Sequence, residues 1–428
     1  KIKIHLTLLK LDFSCIFVVV INLFQIINLM KRILFLLIII FVTSCGKNND
    51  LSGYKAKSNL SLNVTEEVEL SDFIDSISVV PLEITNDWKY IVYPSISASE
   101  NLFAVLDAHF YRLMLFDRKD LTLLFSKDIK GRGRGELLSP ANSFILGRDT
   151  VCVFDSGTGR ICMYGKDGGF IDFLNNSEEI CADYVYPIKG NLVAVSQDGG
   201  SLYNRDYVSY YKQDGSLLDR QLKIPNDVYE CGVYSGDGQT CFMYNDTLRF
   251  IMPFTYHLFS STLDRLESTY FFETDRAIPA GFFKESDDMM VSIGNITKNE
   301  YVWHFHNIFE TDSHQIFSYL EGQKSYMAFI DKRTGKISIN AMTTNPKYDK
   351  VSLVNIWRYV LATTTIIYAD NDYLYGYVAP TQYEVLKSVH DLDSRLESYS
   401  HSLGSYIEKN SNLITDADTR LLIKIKLK

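Results

Sequence analysis

The sequence predicts an all-β fold: a six-bladed β-propeller of four-stranded antiparallel blades, with one helical insertion near the C-terminus. Three observations carry this. The chain is rich in residues that fit a pleated, half-buried surface, with 28 Tyr and 26 Phe against only 9 Pro and 24 Gly in 428 residues. From Glu69 onward, short apolar runs broken by turn residues recur again and again. The chain ends on RLLIKIKLK, where Ile423, Ile425 and Leu427 alternate with Lys424, Lys426 and Lys428, a half-buried strand in search of a neighbour.

The first element is an address. Met30 opens MKRILFLLIIIFVTSC, with Lys31 and Arg32 as a positive n-region. Residues 33–42 form an apolar stretch of signal-peptide length, too short for a membrane span. Val42, Thr43 and Ser44 then lead into Cys45 in the manner of a bacterial lipobox, which makes Cys45 the expected lipidation site and residues 30–44 a lipoprotein signal peptide. Residues 1–29 read as an upstream extension before a misplaced start, with an extra apolar segment as the alternative. Residues 45–68 read as lipidated Cys and flexible tether, and 69–428 as the propeller. An outer-membrane lipoprotein facing the periplasm or the cell surface is the expected location, since Gly46 supplies no acidic retention signal.

The formal net charge of −9 understates the acidity of the folded part. Residues 1–45 hold five basic side chains and one acid, which leaves 38 basic and 51 acidic groups for the remainder. That balance argues against a nucleic-acid partner, because phosphate backbones are met by clustered Lys and Arg.

The recurring unit is a meander. NLFAVLDAHFYRLMLFDRKDLTLLFSKDI and DTVCVFDSGTGRICMYGKDGGFIDFL each hold three strands around tight turns. GNLVAVSQDGG with YVSYYKQDGSLLDRQLKI, NDTLRFIMPFTYHLFSSTLDRLESTYFF, SYMAFIDKRTGKISIN and NDYLYGYVAPTQYEVLK repeat the plan. KDGG, QDGS and DKRTGK are hairpin turn chemistry. Six units at intervals of roughly 40 to 70 residues fit blades around an axis, each burying both faces only against its neighbours. A β-sandwich, with fewer strands and no recurrence, ranks second. The early strand in EVELSDFIDSISVVPLEIT and the final one are expected to complete one blade together, leaving no open edge. At about 385–408, Leu392, Leu396, Tyr399, Leu403 and Tyr406 step by four and three along one face of the helix, expected to pack on the last blade rather than to bind a partner.

Five cysteines follow Cys45. Cys152 and Cys162, and Cys231 and Cys241, share a spacing of ten around a turn-rich centre, so two readings stand: disulfides across a symmetric hairpin, or small buried hydrophobes, with Cys181 single. The second is preferred.

The opening LSDFIDSISVVPLE, the loop GRGRGELLSP, the segment NIFETDSHQIFSY and the apolar-Lys ending resemble the six-bladed β-propeller lipoproteins of Bacteroides-type bacteria, over essentially all of residues 45–428. Two departures are visible. Gly133-Arg134-Gly135-Glu136 stands where the family usually has Gly-Pro-Gly-Glu, and Asp416 to Thr419 replaces an Asn-Pro before the final strand. The resemblance implies an exported lipoprotein and names no activity.

For chemistry, the loop KGRGRGELLSP is the first candidate: its glycines allow close backbone approach, and Arg132 and Arg134, with Glu136 beside them, are placed for a carboxylate, sulfate or phosphate. It is no P-loop, lacking the G-x-x-x-x-G-K-[ST] spacing. His304 and His306 stand two apart in YVWHFH, weak candidates for a metal, with His314 nearby; a solvent-facing pair is the plainer expectation. Asp107, Asp155 and Asp331 end or interrupt strands, either ringing a central channel that holds calcium or capping turns. Tyr203, Tyr207, Tyr210 and Tyr211 are candidates to stack on sugars at a rim, against the commoner role of blade packing. No catalytic residue set and no required cofactor can be defended. The expected role is a non-catalytic binding module for a glycan, peptide or envelope protein, held at the membrane through its lipid. The alternatives are a metal-assisted hydrolase or lyase with its site at the central channel, and a scaffold subunit of an envelope complex.

Overall fold

Alternating apolar residues between Gly, Asp and Asn turns fold as the strands of six sheets in this computed structural model. It describes residues 54–63, 68–83, 94–175, 179–196, 206–225, 228–229, 239–285, 288–342, 356–414 and 419–428, all within one unit spanning Tyr54–Lys428. Cys45, the signal peptide at 30–44, residues 1–29, Tyr203 and Cys231 lie outside the described residues.

The chain enters along β1 (Ser58–Ser61) and β2 (Ile74–Val79), which join later blades. Blade 1 is β3 (Pro94–Ala98), β4 (Leu102–Asp107), β5 (Arg112–Asp117) and β6 (Leu123–Asp128). Blade 2 follows as β7 (Pro140–Leu146), β8 (Thr150–Asp155), β9 (Arg160–Gly165) and β10 (Phe170–Phe173). Blade 3 is β11 (Tyr184–Ile188), β12 (Asn191–Val195), β13 (Asp206–Lys212) and β14 (Leu217–Lys223). Blade 4 is β15 (Cys241–Tyr244), β16 (Thr247–Ile251), β17 (His257–Thr262) and β18 (Arg265–Glu273), and blade 5 is β19 (Val302–Glu310), β20 (His314–Glu321), β21 (Lys324–Asp331) and β22 (Ile337–Met342). Blade 6 takes β23 (Thr365–Asp370), β24 (Tyr373–Val378) and β25 (Leu421–Leu427), with β2 as its fourth strand.

Neighbouring blades meet first through their leading strands, β3 with β7, β7 with β11, β15 with β19, β19 with β23 and β23 with β3. The ring therefore closes between blades 6 and 1. Middle strands are buried on both faces, which is why Phe103 to Leu106 are all solvent-free although their side chains alternate.

Closure is made by the two termini together, as the sequence predicts. Ile77 faces Ile425 and Val79 faces Ile423 in the antiparallel pair of β2 and β25, while the Lys426 ammonium meets Asp75 at 2.9 Å on the wet side. Before reaching β2 the chain adds β1 as a fifth, parallel strand on β18. This corrects the reading of residues 45–68 as tether throughout. Polar Ser58, Asn59 and Ser61 suit an outer edge, and the buried Leu62 next to them fixes it. Leu62 packs with Phe272 and Phe317, and the Phe73 ring, ahead of β2, is stacked on Phe329 of blade 5 at 4.8 Å.

The helical content exceeds the single insertion that periodicity suggests. Helix α1 (Met289–Lys298) lies between blades 4 and 5 and α2 (Ile356–Ala362) precedes blade 6. The expected helix at 385–408 is two, α3 (Thr381–Ser388) and α4 (Ser394–Lys409). Val389 leaves the helix in an extended conformation, and Asp393 restarts it by accepting from the Arg395 and Leu396 amides. Of the predicted stripe, Leu396, Tyr399 and Leu403 are solvent-free in the core that also holds Ile74 and Ile77, Tyr406 is half-buried, and Leu392 precedes the helix. Helix α4 also pins β2 from outside: Arg395 donates to the Ser71 and Ile74 carbonyls, and the Tyr406 hydroxyl donates to the Leu82 carbonyl.

Cys152 and Cys162 are free and buried, and the register explains why they do not bridge. Cys162 faces Val153 across the ladder, so it shares Val153's side of the sheet, whereas Cys152 points to the other. They accordingly belong to different inter-blade cores. Burial pushes both thiols up to about 12.

Candidate functional site

Strand direction sorts the connections onto two faces. Within a blade the chain runs out and back twice, so each crossover to the next blade emerges on the same face as the turn between second and third strands. The crossover from β6 to β7 and the β8–β9 turn therefore stand side by side, and between them is a groove of about 390 Å³. Its lining includes Gly131, Arg132, Gly133, Glu136 and Leu138 from the crossover, and Thr158 and Arg160 from the turn. Cys162, Phe173 and Glu179 complete the lining.

The crossover is a clasp before it is a site. Lys130 and Leu137 bridge in parallel, and the Gly131 amide donates to the Leu137 carbonyl at 3.1 Å, which pinches the loop at its neck. Inside it, the Glu136 carboxylate folds back to accept from the Gly133 amide at 2.7 Å. A Cβ on Gly131, at φ 150°, would fall 1.9 Å from that carboxylate, so glycine is required there. Gly135, at φ 78°, leaves no room against the Phe170 ring either, and its carbonyl accepts from the buried Tyr164 hydroxyl at 2.9 Å.

Asp155 joins the two walls. Its carboxylate, 1% exposed, accepts from the Leu138 and Ser139 amides of the crossover at 3.1 and 2.6 Å. It also accepts from the Gly157 amide and the Thr158 hydroxyl of its own turn. Asn175 holds the back of that turn, accepting from the Ile161 amide and donating to the Gly159 carbonyl, both at 2.7 Å.

The sequence-predicted residues separate at this point. Arg132 and Glu136 both line the groove, but Glu136 is committed to the Gly133 amide. Arg134 turns away: its guanidinium lies 3.6 Å from the exposed Asp172 carboxylate and over the Phe170 ring. The second cation of the groove is Arg160, stacked 5.1 Å over Phe173. Sequence reading passed over it, although GTGR in the quoted repeat carries a turn with an Arg at its exit. Among the described residues Arg132 makes no ion pair, so its charge is free to meet a ligand.

The remaining candidates go elsewhere. Asp107 and Asp155 end second strands on the crossover face, whereas Asp331 ends a third strand on the opposite one, so the three do not ring a channel. Each accepts amides two and three residues on or nearby, as turn caps do. His304 and His306 are half-buried; their rings stack at 4.4 Å, and the His306 Nδ1 lies 2.7 Å from the His304 carbonyl. Bulges in β19, with φ 51° at His304 and 52° at Asn307, break the plain alternation assumed for this strand. Burial holds His306 below the usual imidazole range. His314 pairs with Asp331 at the far end of the blade, well separated along the ladder from His306 opposite Ser318. Tyr207, Tyr210 and Tyr211 are buried inside blade 3 rather than at a rim, with the Tyr210 hydroxyl on Ser261.

On the opposite face the end of β19 carries a buried charge. Glu310, 1% exposed, is met by Arg249 at 2.5 Å and Lys332 at 2.8 Å, and accepts from Gln315 at 3.0 Å. Burial pushes its carboxyl up, but the two cations outweigh that and hold it below the usual carboxylate range. Arg249 belongs to blade 4 and Glu310 to blade 5, so this is a staple between blades. Arg118 of blade 1 and Asp370 of blade 6 make another, at 2.5 Å.

A family model described as a domain of unknown function, DUF4934, matches residues 56–414. Among solved structures, a protein classed as exported from Bacteroides fragilis superposes with a TM-score of 0.62 at 14% identity, over 87% of this chain and 100% of its own. A DUF4221 family member from Bacteroides vulgatus reaches 0.46 at 10% identity, over 83% and 97% of the two chains. Virginiamycin B lyase from Staphylococcus aureus, with quinupristin, reaches 0.39 at 10% identity, over 82% and 99%. No curated protein matches. The first likeness supports the propeller fold alone.

Proposed function

Because this chain belongs to the DUF4934 family, we propose, from its groove, that the protein is an exported binding module of the bacterial envelope, lipid-anchored through Cys45. In this reading it captures a glycan, peptide or protein partner between the β6–β7 crossover and the β8–β9 turn. One observation carries the reading: the groove collects recognition groups without an activated nucleophile. Arg132, Arg160 and Phe173 offer charge and a flat apolar surface. The thiol in the lining, Cys162, is pushed up to about 12 by burial and is a thiol rather than a thiolate at neutral pH. The Thr158 hydroxyl is given to Asp155 at 2.8 Å, and Asp155 already accepts from three amides. Groups so committed position walls; they do not attack a substrate. The anchor is supported by the lipobox ending at Cys45 and by the exported relative in Bacteroides fragilis.

Two experiments test the two halves. Growth of a producing strain with a labelled fatty acid is expected to label the protein and not Cys45→Ser; label in both contradicts the anchor. Envelope glycans and peptides applied to the purified protein are expected to bind the native chain and not Thr158→Trp, whose indole fills the groove. Equal binding by both places recognition elsewhere and overturns the groove.

A further inference from the structure

We infer that the ligand of this groove is a saccharide bearing a single acidic group, a uronate carboxylate or a sulfate ester, held between Arg132 and Arg160. The inference rests on the binding-module reading above and names its ligand class. It starts from charge. Arg132 and Arg160 project from opposite walls, and neither is in an ion pair among the described residues. Two guanidiniums outside any ion pair among the described residues, in a chain with more acids than bases, mark a place prepared for an external anion.

The rest of the lining selects what carries that anion. Glu136 and Glu179 flank the guanidiniums at the surface, and an extended acidic peptide or a polyanion would bring further negative charge against them. A polyhydroxylated ring instead gives Glu179 hydroxyl donors, a use for which exposed carboxylates beside aromatic rings are well suited. Phe173 lies beneath Arg160, and the planar guanidinium stacked on it is the flat surface that a sugar ring meets. The space that side chains on Gly131 and Gly133 would take is filled by the Glu136 carboxylate, so that wall offers sugar hydroxyls an acceptor. The volume, about 390 Å³, lies at the small end of the range for small-molecule sites. It suits one or two sugar units rather than a folded partner.

The probes are methyl galacturonide, galactose 6-sulfate, the neutral methyl galactoside and a hexaglutamate peptide, each titrated into the purified propeller by calorimetry. Arg132→Gln and Arg160→Gln are compared with the native chain, with thermal unfolding as a control because both side chains are exposed. An acidic saccharide is expected to bind at least tenfold more tightly than the neutral one and than the peptide, and each variant to lose about tenfold. Preference for the galacturonate or for the sulfated sugar identifies which acidic group is taken. Neutral and acidic sugars bound equally, insensitive to both Arg variants but abolished by Thr158→Trp, would overturn the acidic inference while leaving the binding module intact. Tighter binding of hexaglutamate would overturn it in favour of a peptide. Silence across all four probes would overturn it outright; the binding module then falls only if envelope extracts also fail to distinguish the native chain from Thr158→Trp.

Discussion

Blade 2 and blade 6 have the same four-stranded plan but are built in opposite ways. Blade 2 comes from one uninterrupted stretch between Pro140 and Phe173, with every pairing between strands adjacent in sequence. Blade 6 gathers β23 and β24, then β25 after two helices, then β2 from the other end of the chain. A local blade folds without waiting for distant chain, and its connections are left to differentiate, which is where the groove lies. The closing blade depends on a pairing across some 350 residues, and its surroundings are given over to holding that pairing. Helix α4, the strap through Leu62 and Phe73, and the Arg118–Asp370 staple all serve closure.

The sharpest way to break the contrast is to charge the closing pair. Ile77→Asp places a carboxylate in the core opposite Ile425, and the expected result is loss of cooperative unfolding and of soluble monomer, read by calorimetry and gel filtration. The matching change in blade 2, Ile161→Asp, is expected to destabilise strongly but locally, with blade 6 still protected from hydrogen exchange.

Next in size is the staple between blades 4 and 5. Glu310→Gln leaves Arg249 and Lys332 without their anion and is expected to destabilise by about 3 kcal/mol in urea unfolding. It also sharpens the pH dependence. Since the folded carboxyl lies below its ordinary value, its contribution is present above the usual carboxylate range and lost as pH falls through and below that range. The native chain is therefore expected to lose stability between about pH 5 and 3 more steeply than Glu310→Gln. Parallel curves would show that the pair contributes nothing.

Smaller, and confined to blade 2, is Asp155→Ala. Four donors lose their acceptor at the turn and crossover, for an expected loss of about 2 kcal/mol with ligand binding abolished because the walls separate. Full binding in this variant would mean that the groove does not depend on the clasp. The smallest effect is expected at Arg134→Ala, under about 0.5 kcal/mol in unfolding and none in ligand affinity, because its pair with Asp172 is exposed on both sides.

What the sequence disclosed follows the same division. Second, third and fourth strands were legible because hairpin turns such as KDGG and DKRTGK separate runs of apolar residues. Closure was legible because a terminal strand alternating Ile and Lys has one apolar face to bury. Leading strands were harder: β19 carries two bulges, and its histidines therefore stack on each other, half-buried, instead of following plain alternation. Strand β1 is four residues, three of them polar, and only its docking on β18 makes it a strand. At the site, glycines and Arg132 stood out in one contiguous loop. Arg160 did not, because its partnership with that loop is set by Asp155 across the space between crossover and turn. Cys152 and Cys162 are the buried hydrophobes that the preferred reading made them, and register supplies the reason that spacing could not, since it decides which side of the sheet each thiol takes.

The central claim is that the ring is held shut by the N-terminal strand. Peptide-resolved hydrogen exchange tests it most directly on the native chain. Peptides covering β2 and β25 are expected to be as strongly protected as β24 and to exchange together, in one step, with the other blades. Fast exchange in β2 beside a protected β23–β25 sheet would contradict it, since the ring would then stay closed without its latch.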